Sequence, residues 1–472
     1  MDGHGHSEEL MSQADSCDVV PADHDTIVAP GTARGNGAIA IIRITGPEAR
    51  RTLQRLFRPL GSHLPWDVPR QLVLGDVIDS EGVGVDRGLG VWMPRSASPT
   101  GQDYVELHVH GGLGLVNLVV QAAVAAGARP ALPGEFLKRG FLQGRIDLTE
   151  AEAVATILSA RTSAAARAAA RNLAGHLGQA ATQIRNDLLT AHAIIEAATD
   201  FPDEDLPAVD EVAIRQALQS AKIRLEELLR GSRRSLRVQT GARVVLLGKP
   251  NVGKSSLFNW LVGHERAIVS PEPGTTRDTI EAILDLEGMP VTLIDTAGLR
   301  DEAGHTEQAG MARTRQEAAA ADLVLELRDD PRSASDWTGE GPREGGSRLL
   351  VRTKADQIFP EARTPEPGEI WVSSHSGEGM ERLLETMLRL LGGHQLSGAG
   401  EESLLTTERQ IKTVKLCSER LASVQSALDH HLGYELVVVH LREALEPLDA
   451  LLGRQASEDV LSVLFSRFCI GK

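Results

Sequence analysis

The sequence predicts a fold of class α/β plus α, in which an α/β domain carrying a phosphate-binding loop is inserted into a domain of long helices. Three observations predict it. A buried strand from Val244 runs into a glycine-rich loop at Gly248. Alanine- and leucine-rich segments with helical period lie before and after that region. The first part of the chain mixes strand and helix patterns, which is typical of a separate α/β domain.

Length and charge bound the classes of function. The chain has 472 residues and a formal net charge of −16, and domains average roughly 150 residues, so about three domains are expected. The negative net charge argues against an extensive electrostatic interface with nucleic acid. Any contact with RNA is expected to be local or to be made by a partner protein. No apolar run approaches the ~20 residues that a membrane span needs. Three cysteines are too few for a disulfide framework or a zinc site.

The order of these patterns predicts the domain boundaries. Residues 1–24 are polar and acidic without the apolar core of a signal peptide, so we expect a disordered extension of a cytoplasmic protein. Residues 25–144 form the first α/β domain, with strands near 38–44 and 104–110. Long apolar helices need partners, so the helical segments 145–236 and 400–472 are expected to pack together, with 237–399 inserted between them.

The inserted domain carries the motifs of a guanine-nucleotide site. The loop from Gly248 to Ser255 has the spacing of a phosphate-binding loop, in which Lys254 reaches the β- and γ-phosphates and Ser255 ligates Mg²⁺. Thr276 is placed to close on Mg²⁺ and the γ-phosphate. Asp356 offers the carboxylate that accepts from guanine N–H groups. The residues predicted to bind GTP are Asn251, Val252, Gly253, Lys254, Ser255, Ser256, Ser270, Pro271, Glu272, Pro273, Gly274, Thr275, Thr276, Asp295, Thr296, Ala297, Gly298, Thr353, Lys354, Ala355, Asp356, Ser373, Ser374 and His375.

Two residues depart from the usual pattern. Thr353 begins the segment Thr-Lys-Ala-Asp356, the base-reading motif, and stands where most GTPases have Asn. This substitution predicts a weaker tie between the base-reading motif and the phosphate loop. Leu299 stands where Ras-like enzymes carry the glutamine that orients the attacking water, so another group has to do so. An arginine finger or a monovalent cation would supply the missing charge at the phosphates. The oxygen of Asn251 is a candidate cation ligand, although Asn251 also suits a simple capping role in the loop.

Beyond the inserted domain, several segments resemble the tRNA modification GTPase family MnmE, also called TrmE, and the resemblance runs from about Asp25 to Lys472. The C-terminal Cys-Ile-Gly-Lys is its most specific part. The matching segments begin at Asp25 (Asp-Thr-Ile-Val-Ala), Gly37 (Gly-Ala-Ile-Ala-Ile-Ile-Arg-Ile-Thr-Gly-Pro), Ser98 (Ser-Pro-Thr-Gly-Gln-Asp-Tyr-Val-Glu-Leu-His-Val-His-Gly-Gly), Pro133 (Pro-Gly-Glu-Phe), Phe141 (Phe-Leu-Gln-Gly-Arg-Ile-Asp-Leu-Thr-Glu-Ala-Glu-Ala), Asp200 (Asp-Phe-Pro-Asp) and Phe468 (Phe-Cys-Ile-Gly-Lys).

The resemblance implies a reaction, cofactors and partners. It implies a GTP hydrolase that forms a homodimer and works with a flavin-dependent partner, MnmG (GidA), in a heterotetramer or larger complex, with FAD on the partner only. Together they would add an aminomethyl-type group, commonly carboxymethylaminomethyl, at carbon 5 of the wobble uridine of certain tRNAs. The carbon would come from a methylene- or formyl-tetrahydrofolate bound by a folate-binding-like first domain. A regulatory GTPase switch for ribosome or RNA assembly, without folate chemistry, remains the alternative.

The resemblance also implies site residues. Arg43, Glu106, Arg145 and Lys472 fall on folate-contacting positions. Arg43 and Glu106 would also suit an ordinary structural pair. The implied K⁺ ligands are Asn251, Ser270, Glu272 and Thr275.

Two further residues are candidates for catalysis. By the resemblance, Glu307 is the carboxylate that orients water, and it would equally be a helix-start carboxylate favoured by the helix dipole. Cys469 would be a nucleophile or acid/base if neighbouring cations lower its pKa, and otherwise a small packing residue of the tail. His108 and His110 lie on one strand face without a convincing third metal ligand, and we expect them to be structural.

Overall fold

The computed structural model describes residues 25–33, 35–200, 210–264, 267–268, 280–295, 307–329, 342–343, 346–358, 368–392, 403–455, 458–466 and 468–471. The predicted extension at residues 1–24 lies outside these ranges. The chain divides into two compact units, Met1–Ala151 with Gln455–Lys472, and Glu152–Arg454. The sequence analysis instead assigned residues 455–472 to the helical domain, and the domain boundaries remain predictions. No helix in the described ranges is long and apolar enough to cross a membrane.

The first unit is built on a seven-stranded sheet in the order β3-β4-β5-β6-β2-β1-β7. Its strands are β1 (Ile27–Pro30), β2 (Gly37–Thr45), β3 (Phe57–Pro59), β4 (Val73–Ile78), β5 (Gly84–Met93), β6 (Tyr104–Gly111) and β7 (Arg129–Pro130). Its helices are α1 (Ala49–Leu56), α2 (Leu113–Ala125) and α3 (Glu135–Leu142). All neighbouring strands are antiparallel except β1 and β7.

Alternation along β2 and β6 gives this sheet one apolar face and an opposite, more polar face, which also carries a small apolar cluster that includes Ile27 and Phe136. Ile42 and Ile44 of β2 and Leu107 of β6 are buried in the core that α1 and α2 cover. The side chains between them point to the other face, and the register sets Arg43 directly opposite Glu106. Cross-strand neighbours on one face lie close enough to interact. The fold therefore makes this pair.

The second unit begins with helices and then enters the inserted domain. The helices before the insertion are α4 (Leu148–Ser159), α5 (Ser163–Leu173), α6 (His176–Asp200), α7 (Glu211–Leu229) and α8 (Ser232–Thr240). The side chain of Thr162 caps α5 by accepting from the Ala165 N–H at 3.2 Å. Its hydroxyl also donates to the Gly288 carbonyl of the inserted domain at 2.8 Å.

The inserted domain contains a seven-stranded sheet in the order β14-β13-β12-β8-β11-β10-β9. Its strands are β8 (Ala242–Leu247), β9 (Ala267–Ile268), β10 (Ile280–Leu286), β11 (Met289–Asp295), β12 (Leu323–Arg328), β13 (Ser347–Arg352) and β14 (Glu369–Trp371). Its helices are α9 (Lys254–His264), α10 (Glu307–Ala320) and α11 (Met380–Leu390). Strands β14, β13, β12, β8 and β11 are parallel, so their carboxyl ends meet at one edge.

Both faces of this sheet are buried. Val244 and Leu246 of β8 pack in the cluster that contains α9 and α11 residues. Val245 and Leu247 pack on the opposite face with residues at the end of α10. A strand covered on both faces reads as a continuous apolar run, which is the pattern the sequence shows there.

The helical bundle closes after the insertion, as the sequence predicted. Helices α12 (Glu408–Asp429) and α13 (Tyr434–Leu452) share one core with α6 and α7. On α6 the buried residues recur at steps of four and three: Leu177, Ala181, Ile184, Leu188, Ala191 and Ile195. Two hydroxyl bonds join the chain on either side of the insertion. Ser403 Oγ donates to the Leu228 carbonyl at 2.8 Å, and Ser235 Oγ donates to the Ser403 carbonyl at 3.1 Å.

The final helix belongs to the first unit. Helix α14 (Glu458–Phe465) places the Phe465 ring 6.2 Å from that of Phe141 of α3 and 5.7 Å from that of Phe468. The strand-like pairing of Ile470 with Pro133 continues this contact. Aromatic packing and backbone pairing thus hold the described residues of the tail, 466 and 468–471, against the first domain.

Candidate functional site

The phosphate-binding loop lies between β8 and α9, where the sequence predicted it. Lys254 is 7% exposed, and its ammonium donates to the carbonyls of Gly248 at 3.0 Å and Lys249 at 2.8 Å. These bonds hold the cation over its own loop. Asn251 adopts a positive φ of 63°, which Asn tolerates better than most residues. The positive φ therefore explains an Asn at position 251 without any K⁺ contact, and the K⁺ contact stays a prediction.

A pair of oxygen donors lies next to this loop. Ser255 Oγ lies 3.0 Å from Asp295 Oδ2, because β8 and β11 are parallel neighbours and end at the same edge. Asp295 is 1% exposed. Hydroxyl and carboxylate oxygens are the ligands that Mg²⁺ prefers, so these residues fit the predicted metal.

Thr353 joins the base-reading motif to the phosphate loop. Its hydroxyl lies 2.6 Å from the Val252 carbonyl and 3.2 Å from the Arg328 carbonyl, and the residue is 4% exposed. The sequence predicted a weaker tie here because Thr stands in the place of the usual Asn. The structure retains a short hydrogen bond, since the β13 end and the loop approach closely enough for a hydroxyl. Its effect on guanine affinity stays a prediction.

The residues around the predicted base site are held by local bonds. Lys354 pairs with Asp329 at 2.7 Å, and this hydrogen bond holds the pKa of the Asp329 carboxyl below its ordinary value. Ser373 Oγ accepts from the backbone N–H groups of His375 at 3.2 Å and Ser376 at 3.1 Å, which fixes the turn after β14. Asp356 is exposed at the same edge of the sheet.

Several predicted residues lie outside the described ranges. They are Ser270, Pro271, Glu272, Pro273, Gly274, Thr275, Thr276, Thr296, Ala297, Gly298 and Lys472. Glu307 is the first residue of α10, but its side chain is outside the described part of the chain. The predicted K⁺ set and water-orienting carboxylate therefore stay predictions.

A second cluster, the Arg43 cluster (Arg43, Tyr104, Glu106, His108 and Gly471), occupies the polar face of the first sheet. Arg43 Nε donates to Glu106 Oε1 at 3.3 Å, while Arg43 Nη1 donates to the Gly471 carbonyl at 2.9 Å. Tyr104 donates to Glu106 Oε1 at 3.0 Å, and His108 Nε2 lies 3.1 Å from Glu106 Oε2. The predicted pair is thus part of a network that reaches the tail.

Close packing fixes the tail at Gly471. This residue has a φ of 91°, and a Cβ there would lie 2.1 Å from the Pro30 carbonyl oxygen. Only glycine fits without displacing the backbone. Gly471 belongs to the C-terminal Cys-Ile-Gly-Lys motif, and the motif alone indicates no role for it.

Two other predicted residues lie near the tail or on the loop after α3. Cys469 is exposed, and its carbonyl accepts from the Gly134 N–H at 3.4 Å. Arg145 donates to the Arg95 carbonyl at 2.6 Å, and no hydrogen bond to Arg43 or Glu106 is seen among the described residues. The structure therefore joins Arg43 and Glu106 to the tail and leaves Arg145 on separate contacts.

The two histidines of β6 contact different carboxylates. His108 lies against Glu106, and His110 Nδ1 lies 2.7 Å from Asp86 Oδ1. No group of three or more His, Cys, Asp or Glu side chains suited to a metal ion occurs in the described ranges. The sequence analysis missed the contact between His108 and Glu106, although the spacing of two residues on one strand was a signal for it.

Comparisons with known proteins cover nearly the whole chain. The family model described as "MnmE helical domain" matches residues 148–469, and the one described as "GTP-binding protein TrmE N-terminus" matches residues 26–145. A protein of a Synechococcus species named "tRNA modification GTPase MnmE" is 41% identical, with 96% of this chain and 99% of that protein covered. A Ralstonia nicotianae protein of the same name is 37% identical, with 94% and 96% covered.

Solved structures give a weaker match. The G domain of FeoB from Methanococcus jannaschii is 18% identical and covers 32% of this chain and 98% of its own, with a TM-score of 0.24.

Proposed function

The chain belongs to the family of tRNA modification GTPases called MnmE, and from this premise we propose that it hydrolyses GTP as a subunit of a cytoplasmic tRNA-modifying complex. The finer proposal is that the complex adds an aminomethyl-type group at carbon 5 of the wobble uridine. It uses a tetrahydrofolate one-carbon donor and a flavin-dependent partner related to MnmG. The chain itself is proposed to be a homodimer.

In the nucleotide site each described residue has a distinct task. Lys254 exchanges its loop carbonyls for the β- and γ-phosphate oxygens, and its charge stabilises the transition state. Ser255 and Asp295 would hold Mg²⁺, which would supply positive charge that neutralises the phosphates. Thr353 keeps the base-reading motif in register with the phosphate loop, so that Asp356 can accept from guanine.

The activating ion is proposed from the resemblance and from the missing glutamine. Leu299 has no polar group with which to orient water. We infer that K⁺, held in part by Asn251, supplies charge at the phosphates when two GTPase domains meet, and that Glu307 orients the water. We expect K⁺ to stimulate GTP hydrolysis more than Na⁺ does at equal ionic strength. This stimulation should be lost in Glu307→Ala.

One observation supports folate chemistry more than any other. Arg43 bonds both the Glu106 carboxylate and the carbonyl of Gly471 in the C-terminal tail. A pterin offers paired N–H donors and a folate tail offers carboxylates, which are the partners that an acid and a cation side by side recognise. Cys469 lies in the same tail, two residues from Gly471, as the proposed reactive thiol.

Calorimetric titration of 5-formyltetrahydrofolate into the intact protein tests this proposal. Micromolar binding is expected, and Arg43→Ala and Lys472→Ala are expected to weaken it at least about tenfold, or 1.4 kcal/mol. Arg87→Ala is the matched control, because Arg87 lies on the same sheet but pairs with Asp76. GTP hydrolysis should be equal in all four proteins.

A negative titration has a clear meaning. If intact protein that hydrolyses GTP binds no folate, the folate roles of Arg43, Glu106, Arg145 and Lys472 are wrong. The regulatory GTPase switch without folate chemistry then becomes the better account.

A further inference from the structure

Four charged side chains of the first unit form an ion-pair cluster, Asp25, Arg129, Glu135 and Arg139, that the proposed reaction does not use. Arg139 is completely buried and pairs with Asp25 at 2.6 Å and Glu135 at 2.9 Å. Arg129 pairs with Glu135 at 2.5 Å and with Asp25. Removing one partner of such a set leaves a charge uncompensated.

Both carboxylates of this cluster remain ionised. Burial opposes ionisation of Glu135, but the hydrogen bonds from Arg129, the Leu132 N–H and Arg139 outweigh it and lower its pKa. At Asp25 burial is likewise outweighed by the bonds from Arg129 and Arg139, so its pKa is also lowered.

Glu135 does more than neutralise arginines. Its Oε2 accepts from the Leu132 N–H at 2.8 Å, and its own N–H donates to the Leu132 carbonyl at 3.2 Å. The turn from Leu132 to Glu135 is therefore closed by both side chain and backbone.

The two residues inside that turn contact the C-terminal tail. Pro133 pairs with Ile470, and the Gly134 N–H donates to the Cys469 carbonyl at 3.4 Å. Gly134 has a φ of 66°, and a Cβ there would lie 2.4 Å from the Phe465 carbonyl oxygen. A shift of the turn would therefore displace the tail.

We propose that Glu135 is a positioning residue, which sets the turn from Leu132 to Glu135 against the tail and so places the Gly471 carbonyl at the Arg43 cluster. This inference rests on the proposed folate function for its consequence in binding, but not for its consequence in the position of the tail. A cluster that only stabilised the unit would affect all of its strands alike.

Amide hydrogen exchange of the full-length protein tests the position of the tail. In Glu135→Gln, amides of residues 463–471 are expected to exchange at least about tenfold faster, while those of β2 keep their rates. Asp86→Asn is the matched control, since Asp86 is a mostly buried carboxylate that contacts His110 and not the turn. Should Glu135→Gln not fold, Glu135→Asp keeps the charge but shortens the reach to the Leu132 N–H.

Folate affinity gives the second readout. Glu135→Gln should weaken 5-formyltetrahydrofolate binding at least about fivefold with unchanged GTP hydrolysis. Combined with Gly471→Ala, which displaces the same tail, it should add little further loss, because the two act on one element.

The outcomes separate this inference from the proposed function. Unchanged tail exchange in a folded variant, equal acceleration in β2, or additive losses with Gly471→Ala would overturn the positioning role. If the wild-type protein binds no folate, the proposed function fails, yet the exchange data still decide whether Glu135 holds the tail.

Discussion

The nucleotide loop and the Arg43 cluster are both built around a cation that bonds backbone carbonyls, but they are assembled over very different chain distances. Lys254 reaches carbonyls five and six residues away. Arg43 reaches a carbonyl 428 residues away. The first site needs one correctly formed turn, whereas the second needs the C-terminal tail to be held in place. A substitution that impairs nucleotide binding should therefore leave folate binding unchanged, and the reverse should also hold.

The largest expected effect tests the local site. Lys254→Ala removes the cation from the phosphates and should lower the rate of GTP hydrolysis at least about a hundredfold. Folate affinity should not change. Lys222→Ala, an exchange of a lysine on α7, is the control, measured by phosphate release. A comparable loss of folate binding in Lys254→Ala would contradict the independence of the two sites.

The next effect tests the long-range site. Gly471→Ala places a Cβ against the Pro30 carbonyl and should displace the tail, lowering folate affinity about tenfold while GTP hydrolysis is kept. Gly127→Ala is a matched control, because Gly127 also has a positive φ, 109°, but nothing lies within 4 Å of the added Cβ. Equal losses in both variants would show that backbone strain, not displacement, is the cause.

A smaller effect sharpens the view of the nucleotide site. Thr353→Val keeps the shape but removes the hydroxyl bond to the Val252 carbonyl, so GDP affinity should fall about fivefold, roughly 1 kcal/mol. Thr353→Ser should retain most of it. Fluorescent GDP displacement measures both. Unchanged affinity in Thr353→Val would mean that the tie does not support guanine binding.

The smallest expected effect concerns acid stability of the first unit. Asp25 and Glu135 have lowered pKa values in the folded state, so their stabilisation is complete above their ordinary pKa values and is lost as pH falls through the lowered ones. Asp25→Asn should show a smaller drop in urea midpoint between about pH 5 and pH 2 than the wild type. An equal drop would show that other groups govern acid unfolding.

Sequence patterns predicted the local parts of both sites and missed what depends on strand register. The phosphate loop, Asp295 and the base-reading motif each follow an apolar strand, so their common edge could be inferred. The resemblance supplied Arg43 and Glu106, but their direct opposition follows from the pairing of β2 with β6, which spacing does not reveal. Asp329 belongs to no sequence motif, and its place near the base site is known only from its ion pair with Lys354.

The sequence pattern also did not predict which groups contact the last helix and the tail. Helix α14 has an apolar stripe like the other helices, and the sequence assigned it to the bundle. Its contacts include aromatic and backbone groups of the first unit, Phe141 and Gly134 among them, and the domain assignment stays a prediction. The apolar stripe of an amphipathic helix predicts that the helix packs against another element, but it does not identify that element.

The hydroxyl bonds that flank the insertion have a consequence for how the chain is made. Ser403 bonds the Leu228 carbonyl across 175 residues, so α6 and α7 leave the ribosome long before α12 and α13 exist to cover them. The inserted domain has its own buried sheet and can fold in that interval. The bundle must wait, with its apolar stripe open to chaperones and to other nascent chains. Because contacts between distant segments form slowly, closure of the bundle is expected to be slower than folding of the inserted domain.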